Sequence, residues 1–140
     1  MLLVKNAEIY APEYLGKKDL LICGGKIECI QDSIRELPVE CEVLDAEGKI
    51  LTPGFLDQHV HITGGGGEGS FHTRTPELQM SELVENGITT VVGLLGTDGI
   101  TRSVDNLYAK TRVLCEEGVS AYMLTGAYGY PSPTIDRKSV

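Results

Sequence analysis

Residues 53–68 read Pro53-Gly54-Phe55-Leu56-Asp57-Gln58-His59-Val60-His61-Ile62-Thr63-Gly64-Gly65-Gly66-Gly67-Glu68, and this stretch decides the fold. Successive side chains of a β-strand point to opposite faces, so His59 and His61 project together while Val60 turns into packing. Two neutral imidazoles fixed on one strand face suit a zinc-like ion whose remaining ligands come from elsewhere in the fold. The same spacing also fits surface histidines or core histidines satisfied by hydrogen bonds. Pro53-Gly54 ends whatever precedes the strand, and four consecutive glycines follow the histidines, so the strand runs out into an open loop. Ordering four glycines costs chain entropy, which points to close approach of backbone to a ligand or to positive φ; a flexible linker is the other reading. Glu68 directly behind the glycines, with no GxxxxGK[ST] pattern, argues against a phosphate cradle and for a cationic ligand group.

On the carboxyl side of this stretch, strand and helix patterns alternate. Thr75 suits an N-cap and Pro76 a first helical position, with Met80, Leu83 and Val84 along one face before Gly87 closes the helix. Residues 88–95 are nearly all apolar or β-branched, as in a strand of a parallel sheet covered by helices. Ser103 caps a second helix whose Val104, Leu107, Thr111, Leu114 and Cys115 line one face, ending at Gly118, and residues 119–124 form the next strand. The same interval of 31 residues separates Gly87 from Gly118 and Thr97 from Tyr128, the mark of a repeated βα unit. Right-handed crossovers lay such strands parallel, so Glu68, Thr97 and Tyr128 emerge at or beyond successive carboxyl ends, the face where these sheets bind ligands. Residues 129–140 read as loop.

On the amino side, residues 2–10 read as a first strand, followed by a loop through Gly16-Lys17-Lys18. Residues 19–23 and 26–30 flank Gly24-Gly25, a two-residue hairpin connection. Residues 42–46 and 49–52 flank Glu47-Gly48, and no helix is predicted before Pro53. The expected organisation is α/β: residues 1–52 form a β-rich piece, a small sheet or half of a β-sandwich, and 53–140 begin a (β/α) barrel. A closed barrel of eight such units needs about 250 residues, so the chain reads as a truncated one.

Composition narrows the function classes. A net charge of −8 and a pI near 4.8 argue against nucleic acid or anionic membrane as partner, because both demand clustered Lys and Arg. A small-molecule substrate fits. No apolar run is long enough to span a bilayer and no secretory leader is evident, so the expected location is the cytoplasm. Cys23, Cys29, Cys41 and Cys115 form no CxxC pair and read as reduced core thiols.

The run from Pro53 to Ser70 resembles the first barrel strand and loop of the amidohydrolase superfamily and, within it, the isoaspartyl dipeptidase family. The runs Thr73-Arg74-Thr75-Pro76-Glu77, Val91-Val92-Gly93-Leu94-Leu95-Gly96-Thr97-Asp98 and Tyr122-Met123-Leu124-Thr125-Gly126-Ala127-Tyr128 are similar to the same family in the same order. The resemblance implies a β-sandwich domain followed by the first three βα units of a TIM-like metallohydrolase barrel. It implies hydrolysis of the side-chain amide of β-aspartyl dipeptides by metal-activated hydroxide in a homo-oligomer. It also implies His59 and His61 as metal ligands, two zinc ions bridged by a carboxylated lysine, and two further histidines and an aspartate from strands beyond this chain. Lys138, in the terminal loop, does not suit the bridging lysine, and His72 is not among the ligands. By motif match Gly66, Glu68, Thr97 and Tyr128 fall on substrate-contacting positions. Glu68 would meet the substrate ammonium, Gly66 and Thr97 the carboxylate, and the catalytic Tyr128 the developing oxyanion. Two other readings stand beside this one: an amidohydrolase for another amide such as a cyclic ureide, and a non-catalytic fragment or binding module.

Overall fold

The computed structural model describes residues 1–35 and 37–135, which fall into two compact units, Met1–Pro53 and Gly54–Val140. The first is a single sheet of five strands. β1 (Leu2–Tyr10) pairs antiparallel with β2 (Tyr14–Cys23), and β2 with β3 (Lys26–Gln31) across Gly24-Gly25, both at positive φ as the predicted hairpin turn requires. The expected loop at Gly16-Lys17-Lys18 is instead part of β2, because a short turn at residues 11–13 already reverses the chain. On its other side β1 runs parallel to β4 (Glu42–Asp45) and then to β5 (Ile50–Leu51). The chain around Glu47-Gly48 therefore steps forward without reversing: Ala46 and Gly48 donate to the carbonyls of Lys5 and Asn6 while Asn6 bulges at φ 58. That bulge turns the Asn6 amide out of the ladder, and the buried Asp19 carboxylate accepts from it at 2.9 Å and from Ile34 N at 2.8 Å. Val4, Ala7, Ile9 and Leu20 form the core of this unit.

The second unit carries the site. β6 (Phe55–Val60), α1 (Met80–Glu85), β7 (Ile88–Gly93), α2 (Val104–Glu116) and β8 (Ser120–Met123) follow in order, and the three strands pair parallel as β6-β7-β8. This is the βα alternation expected for the start of a (β/α) barrel. Its core joins Ile62, Leu83, Val91, Leu107, Leu114 and Ala121, with Val60 packed against it. Ser103 caps α2 as predicted, accepting from Asn106 N at 3.1 Å, and Val104, Leu107, Thr111 and Leu114 are its buried face.

α1 differs from its expected form. It begins at Met80, where Gln79 N donates to Glu82 Oε2 at 2.7 Å, and Val84 is exposed. Thr75 is not its cap, because the Thr75 side chain serves the glycine loop. The cysteines are free, but Cys23 is exposed and the other three only partly buried, so they are not core thiols. Lys138 lies outside the described residues. No helix among those residues is long and apolar enough to cross a membrane.

Candidate functional site

Val60 packs into the helix-covered core, so the strand alternation turns His59 and His61 to the opposite face of the sheet. Their ring centroids lie 5.5 Å apart with planes at 75°. His59 is exposed. His61 is half-buried, and its Nδ1 is shut off from solvent without a hydrogen-bond partner among the described residues. The ring has peptide backbone on two sides: a Cβ at Gly96 would sit 3.0 Å from its Cε1, and one at Gly65 would sit 3.3 Å from its Cγ. An enclosed imidazole nitrogen with no partner needs an acceptor, a donor or an ion to complete it. The pair thus fits a metal, to which it offers two of the four ligands of a common zinc shell. No group of three or more His, Cys, Asp or Glu converges among the described residues.

The glycine run is an ordered loop, not a linker. Gly65 and Thr75 share three hydrogen-bond contacts: Thr75 N donates to Gly65 O at 2.9 Å, Gly65 N donates to Thr75 Oγ1 at 2.7 Å, and Thr75 Oγ1 lies 3.3 Å from Gly65 O. Gly67 N donates to Thr73 Oγ1 at 3.2 Å. Gly66 N–H makes no hydrogen bond among the described residues. His72 is exposed on a short 3-10 turn, Phe71–Thr73.

Beyond the loop, the structure joins Glu68 to Thr97, 29 positions apart, with the Thr97 hydroxyl donating to Glu68 Oε1. That hydrogen bond, followed by the backbone N–H of Glu68, holds its carboxyl below the usual carboxylate range; the charges of His61 and Arg102 act the same way against partial desolvation. Thr97 therefore holds Glu68, where the resemblance implied a contact to substrate carboxylate. The two residues line a cleft of about 250 Å³ with Phe71, Arg74, Asp98 and Ile100. Tyr128 is not brought to it. It is 84% exposed, lies along a separate groove with Leu94, Leu95 and Leu124, and its hydroxyl has no partner among the described residues.

Because the lowered carboxyl of Glu68 is set chiefly by Thr97, Thr97→Val should raise its midpoint toward the ordinary carboxylate value. In the wild type the charge is present above the folded midpoint and is lost only as pH falls through it; the variant should lose it at higher pH. A titration of the Glu68 carboxyl carbon by NMR reads this directly, and an unmoved midpoint would show that Thr97 does not control it.

Sequence reasoning did not find Arg102. The guanidinium is buried among the carbonyls of Thr63, Gly65, Gly66 and Thr75 and the carboxylate of Asp98. Its only local signal was the spacing of Asp98 and Arg102, four positions apart, just before the α2 cap.

No protein-family model matches the chain. A dihydroorotase of Listeria monocytogenes serotype 4a (strain HCC23) is 35% identical over 126 residues, 87% of this chain and 28% of the relative. The crystal structure of a β-aspartyl dipeptidase from Fervidobacterium islandicum AW-1, in complex with β-Asp-Leu, is 50% identical at a TM-score of 0.87 over 96% of this chain and 35% of that one. The L-hydantoinase of Arthrobacter aurescens, at 24% identity and a TM-score of 0.56 over 81% of this chain and 24% of that one, shares the fold. The chain thus spans roughly a quarter to a third of the length of these proteins.

Proposed function

We propose, on the premise that this chain is a relative of the amidohydrolase superfamily with a β-aspartyl dipeptidase and a dihydroorotase beside it, that the protein hydrolyses the side-chain amide of β-aspartyl dipeptides. The observation that carries this reading is Glu68, an ionised carboxylate fixed by the Thr97 hydroxyl in a cleft beyond the strand ends. Such a dipeptide presents a free ammonium and carboxylate on the carbon next to its side-chain amide. Glu68 takes the ammonium, and the unpaired Gly66 N–H takes the carboxylate. His59 and His61 would hold a divalent metal, zinc by the chemistry of the donors, which when bound makes water nucleophilic near neutral pH and polarises the amide carbonyl. By the resemblance, Tyr128, exposed in its own groove beyond the next strand end, would supply its hydroxyl to the developing oxyanion.

The likeness to dihydroorotase favours a second reading, ring opening of a cyclic ureide. Dihydroorotate carries a carboxylate and no ammonium, so an ionised Glu68 opposes it. The protein expressed from its complete reading frame should hydrolyse β-Asp-Leu and spare dihydroorotate, and should act poorly on N-acetyl-β-Asp-Leu, whose ammonium is blocked. Turnover of dihydroorotate with β-Asp-Leu untouched would overturn the dipeptidase reading.

Tyr128→Phe should lower kcat by roughly 100-fold with KM little changed, since an oxyanion contact is made mainly in the transition state. Wild type and variant both keep the ring, so their melting temperatures should agree. A change in KM alone would remove Tyr128 from this role.

A further inference from the structure

Arg102 is the most buried cation among the described residues of this unit, its side chain only 4% exposed, and all five of its N–H groups are used. Nε donates to Thr63 O at 2.9 Å. Nη2 donates to Gly65 O at 3.2 Å and Thr75 O at 3.1 Å, and Nη1 to Gly66 O at 3.4 Å and Asp98 Oδ2 at 3.3 Å. Four carbonyls thus converge on one planar fork, an arrangement that the three donors of a lysine ammonium on a flexible stem cannot reproduce. The glycines make the convergence possible. A Cβ at Gly64, which sits at φ 84, would lie 2.3 Å from Thr75 O and 2.9 Å from Arg102 Nη2. Asp98 in turn accepts from Ile100 N at 3.2 Å, Thr101 N at 2.8 Å and the Thr101 hydroxyl, and pairs with Arg74 Nε at 3.4 Å.

The consequence lies in which segments are tied. Glu68 is two residues from Gly66, and Thr97 is the neighbour of Asp98. Both ends of the Glu68–Thr97 hydrogen bond are therefore anchored, within two residues, to the same guanidinium. We infer that Arg102 is a positioning residue for the ammonium-binding carboxylate: it fixes the glycine loop against the loop after β7 so that Glu68 stands at one place. This rests on the dipeptidase reading for what Glu68 binds, and on the hydrogen bonds alone for how Glu68 is held.

The test is Arg102→Lys, which keeps the charge and removes the fork, made in the protein from its complete reading frame. Two quantities are followed: steady-state hydrolysis of β-Asp-Leu, and hydrogen exchange at the Gly65 and Thr75 amides, with the α2 amides as control. KM should rise about 10- to 100-fold with kcat within about threefold, because a carboxylate displaced by an ångström loses its partner without altering the chemical step. Exchange at Gly65 and Thr75 should quicken by about tenfold or more while α2 is unchanged. A fall in kcat at constant KM would report only a smaller folded fraction and would overturn the assignment. So would faster loop exchange with KM unmoved, or loop exchange no faster than wild type. If the wild type leaves β-Asp-Leu untouched, the dipeptidase reading fails by itself, and exchange alone judges whether Arg102 pins the loops. Should Arg102→Lys not fold, Asp98→Asn removes one anchor and leaves the guanidinium, with the same changes expected at smaller size.

Discussion

Glu68→Gln should cut kcat/KM for β-Asp-Leu by roughly 30- to 1,000-fold while zinc content stays at the wild-type level. The amide is nearly isosteric with the carboxylate and keeps an oxygen for the Thr97 hydroxyl, so the loop geometry is retained and only the charge is lost. The substrate ammonium would then be stripped of water with nothing opposite it. Metal content is the control because Glu68 belongs to no cluster of ligating side chains among the described residues. The effect should also disappear with N-acetyl-β-Asp-Leu: once the ammonium is blocked, the carboxylate has no partner to lose, and the wild type and variant should converge. Parallel loss of metal and activity would move Glu68 into the metal site.

Residues 1–140 expressed alone should hydrolyse no β-Asp-Leu and should lose zinc to a mild chelator. Two imidazoles are half of a four-coordinate shell, and affinity built from half a shell falls by orders of magnitude. The sheet adds a second reason. Among the described residues β6 and β8 each pair on one side only, and Leu56, Tyr122 and Leu124 are exposed at 55%, 62% and 53%. Open edges beside apolar side chains invite association. Near-stoichiometric zinc together with turnover would contradict the expectation.

The residues show why some features were legible. Where a signal is local, sequence and structure agree: the hairpin turn at Gly24-Gly25, the Ser103 cap with its periodic helix, and the sequential parallel strands spaced by one repeat. Where a side chain is claimed by something distant, they part. Thr75 has the chemistry of a cap, yet Gly65 takes its hydroxyl, and the helix starts at Met80. Glu47-Gly48 has the chemistry of a hairpin turn, yet both flanking strands follow β1 in parallel, because the bulge at Asn6 leaves carbonyls for Ala46 and Gly48 to meet. The glycine run announced close approach of backbone to something. That something proved to be the chain's own arginine, nearly forty residues on, which no local pattern could reveal.

Gly96, which borders the His61 ring, and Thr97, which grips Glu68, are neighbours in one loop. Spacing along the chain is therefore a shared gauge. The backbone that limits where the imidazole can swing and the hydroxyl that sets the carboxylate are indexed to each other by a single peptide unit. Inserting or deleting one residue between Leu95 and Thr97 would throw both out of phase together, and a length change at Gly99 would break the four-residue spacing of Asp98 and Arg102. The count from the end of β7 through Thr97 to Arg102 is thus expected to be held constant among natural variants.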